Sequence, residues 1–124
     1  MDRDAVMAWV TRYEDAWRAN DADAVETLFT PDASYRRSPY LPPEVGHGQI
    51  RAIWCDDGET FTMRAEPVAV EDRSAVVRLL VRYGDPVRQE YKDLWVLRFA
   101  PDGRVADFEE WPYEPGQPDA AAGD

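Results

Sequence analysis

A chain of 124 residues, 44% hydrophobic and 12% aromatic, has the size of one domain and the apolar material for its own core. Its net charge of −11 and pI near 4.4 exclude the basic footprint that nucleic acids and anionic membranes require. No stretch approaches the roughly 20 apolar residues of a membrane span, and the single cysteine, Cys55, excludes an intrachain disulfide.

The first element is a helix capped by Asp2 or Asp4 and running to about Asn20. Val6, Val10, Tyr13 and Trp17 recur at helical spacing, and Trp9 and Ala16 widen the stripe. A second, short helix is expected from Asp21 or Asp23 to Phe29, burying Val25, Leu28 and Phe29. It is stopped at Thr30-Pro31-Asp32, because a proline disfavours helix at the residue before it. Ala33 to Arg37 reads as a short strand, and the segment Ser38 to Pro43, with three prolines, as an ordered loop. Gly46-His47-Gly48 leads into a third helix, with Ile50, Ile53 and Trp54 on one side and Asp56-Asp57-Gly58 at its end.

The second half alternates with period two. Phe61, Met63 and Ala65 share one face of a strand that Pro67 breaks or bulges. Ala75, Val77, Leu79, Val81 and Tyr83 form a wholly apolar row on the next. Gly84-Asp85-Pro86 is a turn before a long strand from about Arg88 to Phe99. Pro101-Asp102-Gly103 then signals a hairpin into a last strand from Arg104 to about Trp111. Helices gathered before a run of antiparallel strands indicate an α+β domain with helices on one face of a sheet. Pro112 to Asp124 is proline, glycine, alanine and acid and reads as a mobile acidic tail. The domain is placed at 1–113 and the tail at 114–124.

Three segments carry a family resemblance. RYEDAWRANDADAVETLFTPDASY resembles the opening of SnoaL-like domains of the nuclear transport factor 2-like superfamily. GHGQIRAIW resembles their third helix, and LWVLRFAPDGRVADFEEW their final hairpin. The match spans about residues 4 to 113. It implies a cone-shaped fold, in which a strongly bent, mostly antiparallel sheet wraps around the N-terminal helices and leaves a pocket open at one end. Relatives include ketosteroid isomerase, polyketide cyclases, limonene-epoxide hydrolase and scytalone dehydratase. Others are binding or dimerisation modules without chemistry, so the fold alone does not assign a reaction.

Asp93 is the sharpest candidate for chemistry. It shares strand parity with Tyr91, Trp95, Leu97 and Phe99, so it faces inward with them. Desolvation there raises a carboxyl pKa and fits it for general acid–base work; near the open end it would be solvated or paired with an arginine instead. Tyr13 and Tyr35 are candidate donors to a carbonyl or oxyanion, with core packing as the alternative. His47, the only histidine, is a candidate proton shuttle if its helix starts at the pocket mouth, and an exposed turn residue otherwise. Glu110 occupies the position before the terminal aromatic from which, the resemblance implies, an acid sometimes reaches the cavity. The Arg–acid pair of the epoxide hydrolase has no counterpart on the strand of Arg78 and Arg82.

Trp17, Trp54, Met63, Tyr91 and Trp95 are the expected substrate-binding lining, with few positive groups, which favours apolar ring compounds over anions. One histidine and one cysteine give no metal-ligand spacing, and no phosphate loop or dinucleotide fingerprint occurs. The expectation is therefore a small-molecule pocket protein doing acid–base chemistry of the isomerase, cyclase or dehydratase type with no cofactor. The alternative is a non-catalytic ligand-binding or dimerisation module. The expected partners are a small apolar ligand and a second copy, paired through an outer sheet face bearing Leu80, Leu94 and Val96. A lone thiol and acids where a leader peptide has bases point to the cytoplasm.

Overall fold

The computed structural model describes residues 1–54 and 60–117. Cys55, the expected helix stop at Asp56-Asp57-Gly58 and residues 118–124 of the expected tail lie outside them.

Helix α1 spans Arg3–Ala19. Asp2 is the cap: its Oδ1 accepts from the Ala5 N–H at 2.8 Å, and Asp4 adds a negative charge to the first turn. The helix ends at Asn20, in the left-handed region at φ 55°. Its buried stripe is Val6, Trp9, Val10, Tyr13 and Ala16. A 3-10 turn, Ala22–Ala24, leads into a one-turn helix α2, Val25–Leu28.

Strand β1 then begins at once, Phe29–Arg36, so Phe29 opens a strand instead of closing a helix. Pro31 does bar helix, as expected. It is tolerated within the strand because the parallel pairing with β6 skips from Phe29 to Ser34, leaving the missing N–H outside the ladder. A two-residue strand β2, Glu44–Val45, pairs antiparallel with β1 and precedes α3, Gly46–Ala52.

The remaining strands are β3 Phe61–Glu71, β4 Ser74–Tyr83, β5 Gln89–Phe99 and β6 Val105–Tyr113. The sheet order is β2-β1-β6-β5-β4-β3, antiparallel except for β1 with β6. Pro67 makes a bulge: the register shifts between Pro67 and Ala69, and β3 runs on. Strand β6 extends past Trp111 through Pro112 and Tyr113, which pair with Asp93 and Lys92. Pro112 thus belongs to the sheet and not to the tail.

The concave face of this bent sheet holds α1, completing the α+β cone. Trp9 sits at its centre, fully buried, with its ring against Tyr13, Phe29, Trp95, Phe99 and Phe108. Its Nε1–H donates to the Leu28 carbonyl at 2.9 Å, so burial leaves no donor unpaired. Replacing Trp9 with alanine is expected to cost about 3–5 kcal/mol, the range for truncating a buried aromatic. Urea denaturation reads this as a large fall in midpoint; a loss below about 1 kcal/mol would mean that the core closes over the gap.

Candidate functional site

The C-terminal ends of β1, β4 and β6 and the starts of β3 and β5 meet at one end of the cone. They enclose a cavity of about 520 Å³, within the usual range for a small-molecule site. Trp17, Phe61, Met63, Tyr83 and Tyr91 contribute to its wall, with Tyr13, Tyr35, Asp93, Trp95 and Glu110 also facing it.

Asp93 lies inside, as its parity requires. Strand β5 alternates strictly from Asp93 to Phe99, and Asp93 is 7% exposed. Its neighbour across the ladder is Pro112, and Trp95 pairs with Glu110, so Glu110 stands diagonally opposite Asp93 on the same face. The two carboxyls hydrogen-bond to each other, and the Tyr113 backbone N–H also donates to Asp93. Trp95 Nε1–H donates to Glu110 Oε2 at 2.9 Å. Asp93 Oδ1 is buried without a hydrogen-bond partner among the described residues.

Burial, and then the charge of Glu110, push the Asp93 carboxyl up to about 8. Burial raises Glu110 too, against the hydrogen bonds from Trp95 and Asp93 and the charge of Arg37. Two carboxyls this close share one proton. Glu110 is the better placed to carry the charge, since it accepts from two donors and feels a cation, so Asp93 holds the proton.

Tyr13 and Tyr35 hydroxyls lie 2.6 Å apart. The Tyr35 ring is stacked on Phe108 at 4.3 Å and 3°, and Tyr13 lies parallel to Phe108 at 5.7 Å and 7°. Burial pushes both phenols far up, with each other and Glu110 adding for Tyr13 and Glu110 for Tyr35. Both stay protonated at any ordinary pH. Two hydroxyls sharing one mutual bond leave one O–H hydrogen for a third group.

The structure thus brings Asp93, Glu110, Tyr13 and Tyr35 together, with Trp17, Met63, Tyr91 and Trp95 on the walls. It does not bring in His47 or Trp54. His47 Nε2–H donates to the Phe29 carbonyl at 2.8 Å, tying the start of α3 to β1 away from the cavity. Trp54 sits behind the wall, edge-on to Tyr13 at 5.2 Å and to Trp17 at 5.0 Å.

Sequence reading missed the charged and polar groups of the rim: Arg37, Arg88 and Gln89. The expectation of few positive groups is corrected by the two guanidiniums. Arg37 shares the parity of Tyr35, and Gln89 that of Tyr91 and Asp93, which were usable signals; Arg88 precedes β5 and gave none. Asp107 and Glu109 are on the outer face, where they pair with Arg98 and Arg36.

Compared with known proteins, residues 10–108 match the SnoaL-like domain family. No curated protein sequence matches significantly. Among solved structures, the chain is similar to the epoxide hydrolase/cyclase-like enzyme SalBIII of pyran ring formation in polyether salinomycin. The TM-score is 0.72 at 17% identity, over 86% of this chain and 89% of that one. A steroid delta-isomerase from Pseudomonas aeruginosa aligns with TM-score 0.65 and 25% identity over 91% of this chain and 82% of that one. A conserved bacterial protein with a cystatin-like fold from Silicibacter pomeroyi DSS-3 gives 0.66 and 15% over 85% and 73%.

Between the ordinary carboxyl value of 3.8 and the native value of about 8, the folded protein holds a proton on Asp93 that the unfolded chain has released. The stability this contributes is full below about pH 3.8, falls as pH rises through the window, and is lost above about 8. Asp93→Asn removes the dependence. Relative to wild type, the variant is expected to gain on the order of a few kcal/mol between pH 5 and 9. Thermal melts across that range check it; parallel pH profiles for the two proteins would refute the buried proton.

Proposed function

The chain belongs to the SnoaL-like domain family, and on that premise we propose that it is an acid–base enzyme moving a proton within a small, mostly apolar organic substrate. What carries the reading is the Asp93–Glu110 pair: two carboxyls sharing one proton, buried against a cavity and facing the Tyr13–Tyr35 hydroxyl pair.

Such a pair has a lone pair to accept a proton and a proton to give. Glu110 takes the proton from a carbon next to a substrate carbonyl, breaking the C–H bond. The electron pair moves onto the carbonyl oxygen, where the unshared hydrogen of the tyrosine pair stabilises the charge. Return of the proton to a different carbon completes an isomerisation; attack of the enolate on a second carbonyl, followed by its protonation, completes an aldol cyclisation. Nothing is oxidised or reduced, and the side chains supply the whole acid–base inventory. A steroid delta-isomerase at 25% identity supports the isomerase type.

The test is solvent deuterium incorporation into a panel of enolisable cyclic ketones, including unsaturated ketosteroids, followed by mass spectrometry. Exchange is expected to decline above about pH 8, as Asp93 loses its proton. Asp93→Asn and Glu110→Gln should each reduce it by roughly 10²-fold or more. Ligands that bind without any exchange would overturn the enzymatic reading in favour of a binding module of the same fold.

We also propose that two copies pair through the outer sheet face. Leu94, Val96, Trp111 and Tyr113 are exposed there. They are flanked by Arg78, Arg82 and Arg98 and by Glu66, Glu90 and Asp107. A stripe flanked by both signs is self-complementary about a two-fold axis. Light scattering should give twice the chain mass at micromolar concentration and a monomer for Trp111→Glu. A wild-type monomer at that concentration would rule it out.

A further inference from the structure

We propose that Arg18 sets the width of the cavity, and with it the size of the ring system that the site accepts. It ties the start of β3 to the end of α1 across a seam of the cone wall that no backbone ladder closes. The inference deepens the acid–base reading and rests on it for the cavity being the substrate's site. Arg18 acts through the wall and not on the ligand, so it is a positioning residue.

Strand β3 ends the sheet. β4 pairs with it on one side, and among the described residues no strand pairs with it on the other. An edge of this kind leaves carbonyls without ladder partners. Helix α1 lies along the free side, and two of its arginines reach those carbonyls in place of a strand. Arg3 Nη2 donates to the Pro67 carbonyl at 2.9 Å, and Arg18 Nη1 to the Phe61 carbonyl at 2.7 Å. The spacings match. From Arg3 to Arg18 the helix, rising about 1.5 Å per residue, spans roughly 22 Å. From Phe61 to Pro67 the strand, at about 3.3 Å per residue, spans roughly 20 Å. Helix and edge strand therefore run side by side and are fastened twice, with Arg18 at the mouth and Arg3 away from it.

Each nitrogen of the Arg18 guanidinium is committed. Nε and Nη2 meet Glu14 Oε2 at 2.9 and 2.8 Å, one turn back on the same helix, which holds the group in place. Nη1 takes the Phe61 carbonyl, and the guanidinium carbon lies 4.2 Å from the centre of the Phe61 ring. Phe61 is thus gripped by its main chain and by its ring. That ring also packs against Tyr83 at 5.7 Å, so the grip extends to the next strand.

What this fixes is a gap. Trp17, beside Arg18 in the last turn of α1, lines the cavity from the helix side, and Phe61 and Met63 line it from the strand side. The helix side is packed from behind: Tyr13 lies parallel to Trp17 at 5.9 Å, and Trp54 stands edge-on to it at 5.0 Å. The strand side is a sheet edge, so it is the wall that can yield, and Arg18 is what restrains it. Arg3 makes the same kind of bond on the same seam, but Pro67 lies outside the cavity lining. The two arginines thus offer a matched pair in which only one bears on the ligand.

The experiment measures the affinities of two neutral aryl ketones, acetylnaphthalene and the larger acetylpyrene, by fluorescence titration at pH 7, and reads their ratio. Arg18→Met keeps an apolar stem and removes the bonds to Phe61. It should shift the ratio toward acetylpyrene by roughly tenfold, the scale on which pocket size discriminates. Arg18→Lys should shift it less, since an ammonium over the ring can still donate to the carbonyl. Arg3→Met is the control: it should lower the melting temperature and leave the ratio where it is in wild type. If Arg18→Met does not fold, Arg18→Lys decides, by a ratio that has moved toward acetylpyrene or one that has not. An unmoved ratio in the Arg18 variants, an equal shift in Arg3→Met, or no binding of either ketone by wild type overturns the proposal. The readout needs no turnover, so it can fail while deuterium exchange succeeds, and the reverse.

Discussion

Strand β5 cannot bury Trp95, Leu97 and Phe99 without also burying Asp93. The side-chain period of a strand is two, so one register serves all four residues, and a one-residue slip would expose three large apolar groups. The aromatic core thus imposes an acid on the cavity. An unpaired carboxylate there would cost several kcal/mol. The protein avoids that cost by keeping Asp93 protonated and lending its hydrogen to Glu110.

The same aromatic lattice that forces the acid inward also fixes its partners. Trp95 packs edge-on against Trp9 and Tyr13 and beside Phe108, and its indole N–H reaches Glu110. Phe108 lies parallel to both Tyr13 and Tyr35 and sets the planes of their rings. Core packing and site geometry are therefore one set of contacts. A change that loosens Phe108 or Trp9 would move hydroxyls and carboxyls together, which is how a small domain positions a polar cluster without a dedicated supporting loop.

What the sequence disclosed depends on the range of each signal. Period-two alternation placed Asp93 and Trp95 correctly, because parity is local and strong. Glu110 came through the family resemblance; its strand carries three acids, and parity alone was not used to choose among them. The start of β1 was missed because proline ends a helix without dictating the conformation of its neighbours in the sheet. A parallel pairing with β6, from the far end of the chain, drew Phe29 into a strand. Strand β2 has two residues and no pattern to read. His47 is a candidate only if α3 starts at the pocket mouth, and Trp54 is expected in the lining; instead α3 packs its Ile50 into the core and ties His47 to β1. Arg88 lies in a turn, where no periodicity tells which way a side chain points.

Hydrogen bonds and one cation explain why the two acids differ. Arg37 acts on Glu110 and favours its charged form, as do the Trp95 and Asp93 hydrogen bonds. Asp93 has no such cation and is governed by desolvation. Had an arginine been buried beside Asp93, the carboxyl would have been driven down and its proton lost at neutral pH. Arg37 instead acts on one acid and not on the other. The charge of Arg37 thereby favours the ionised Glu110, ready to accept a proton. The separation of the two carboxyls into base and acid is thus a consequence of their partners: Glu110 accepts from the Trp95 indole and from Asp93 and feels Arg37, whereas Asp93 has only the Tyr113 N–H against its desolvation.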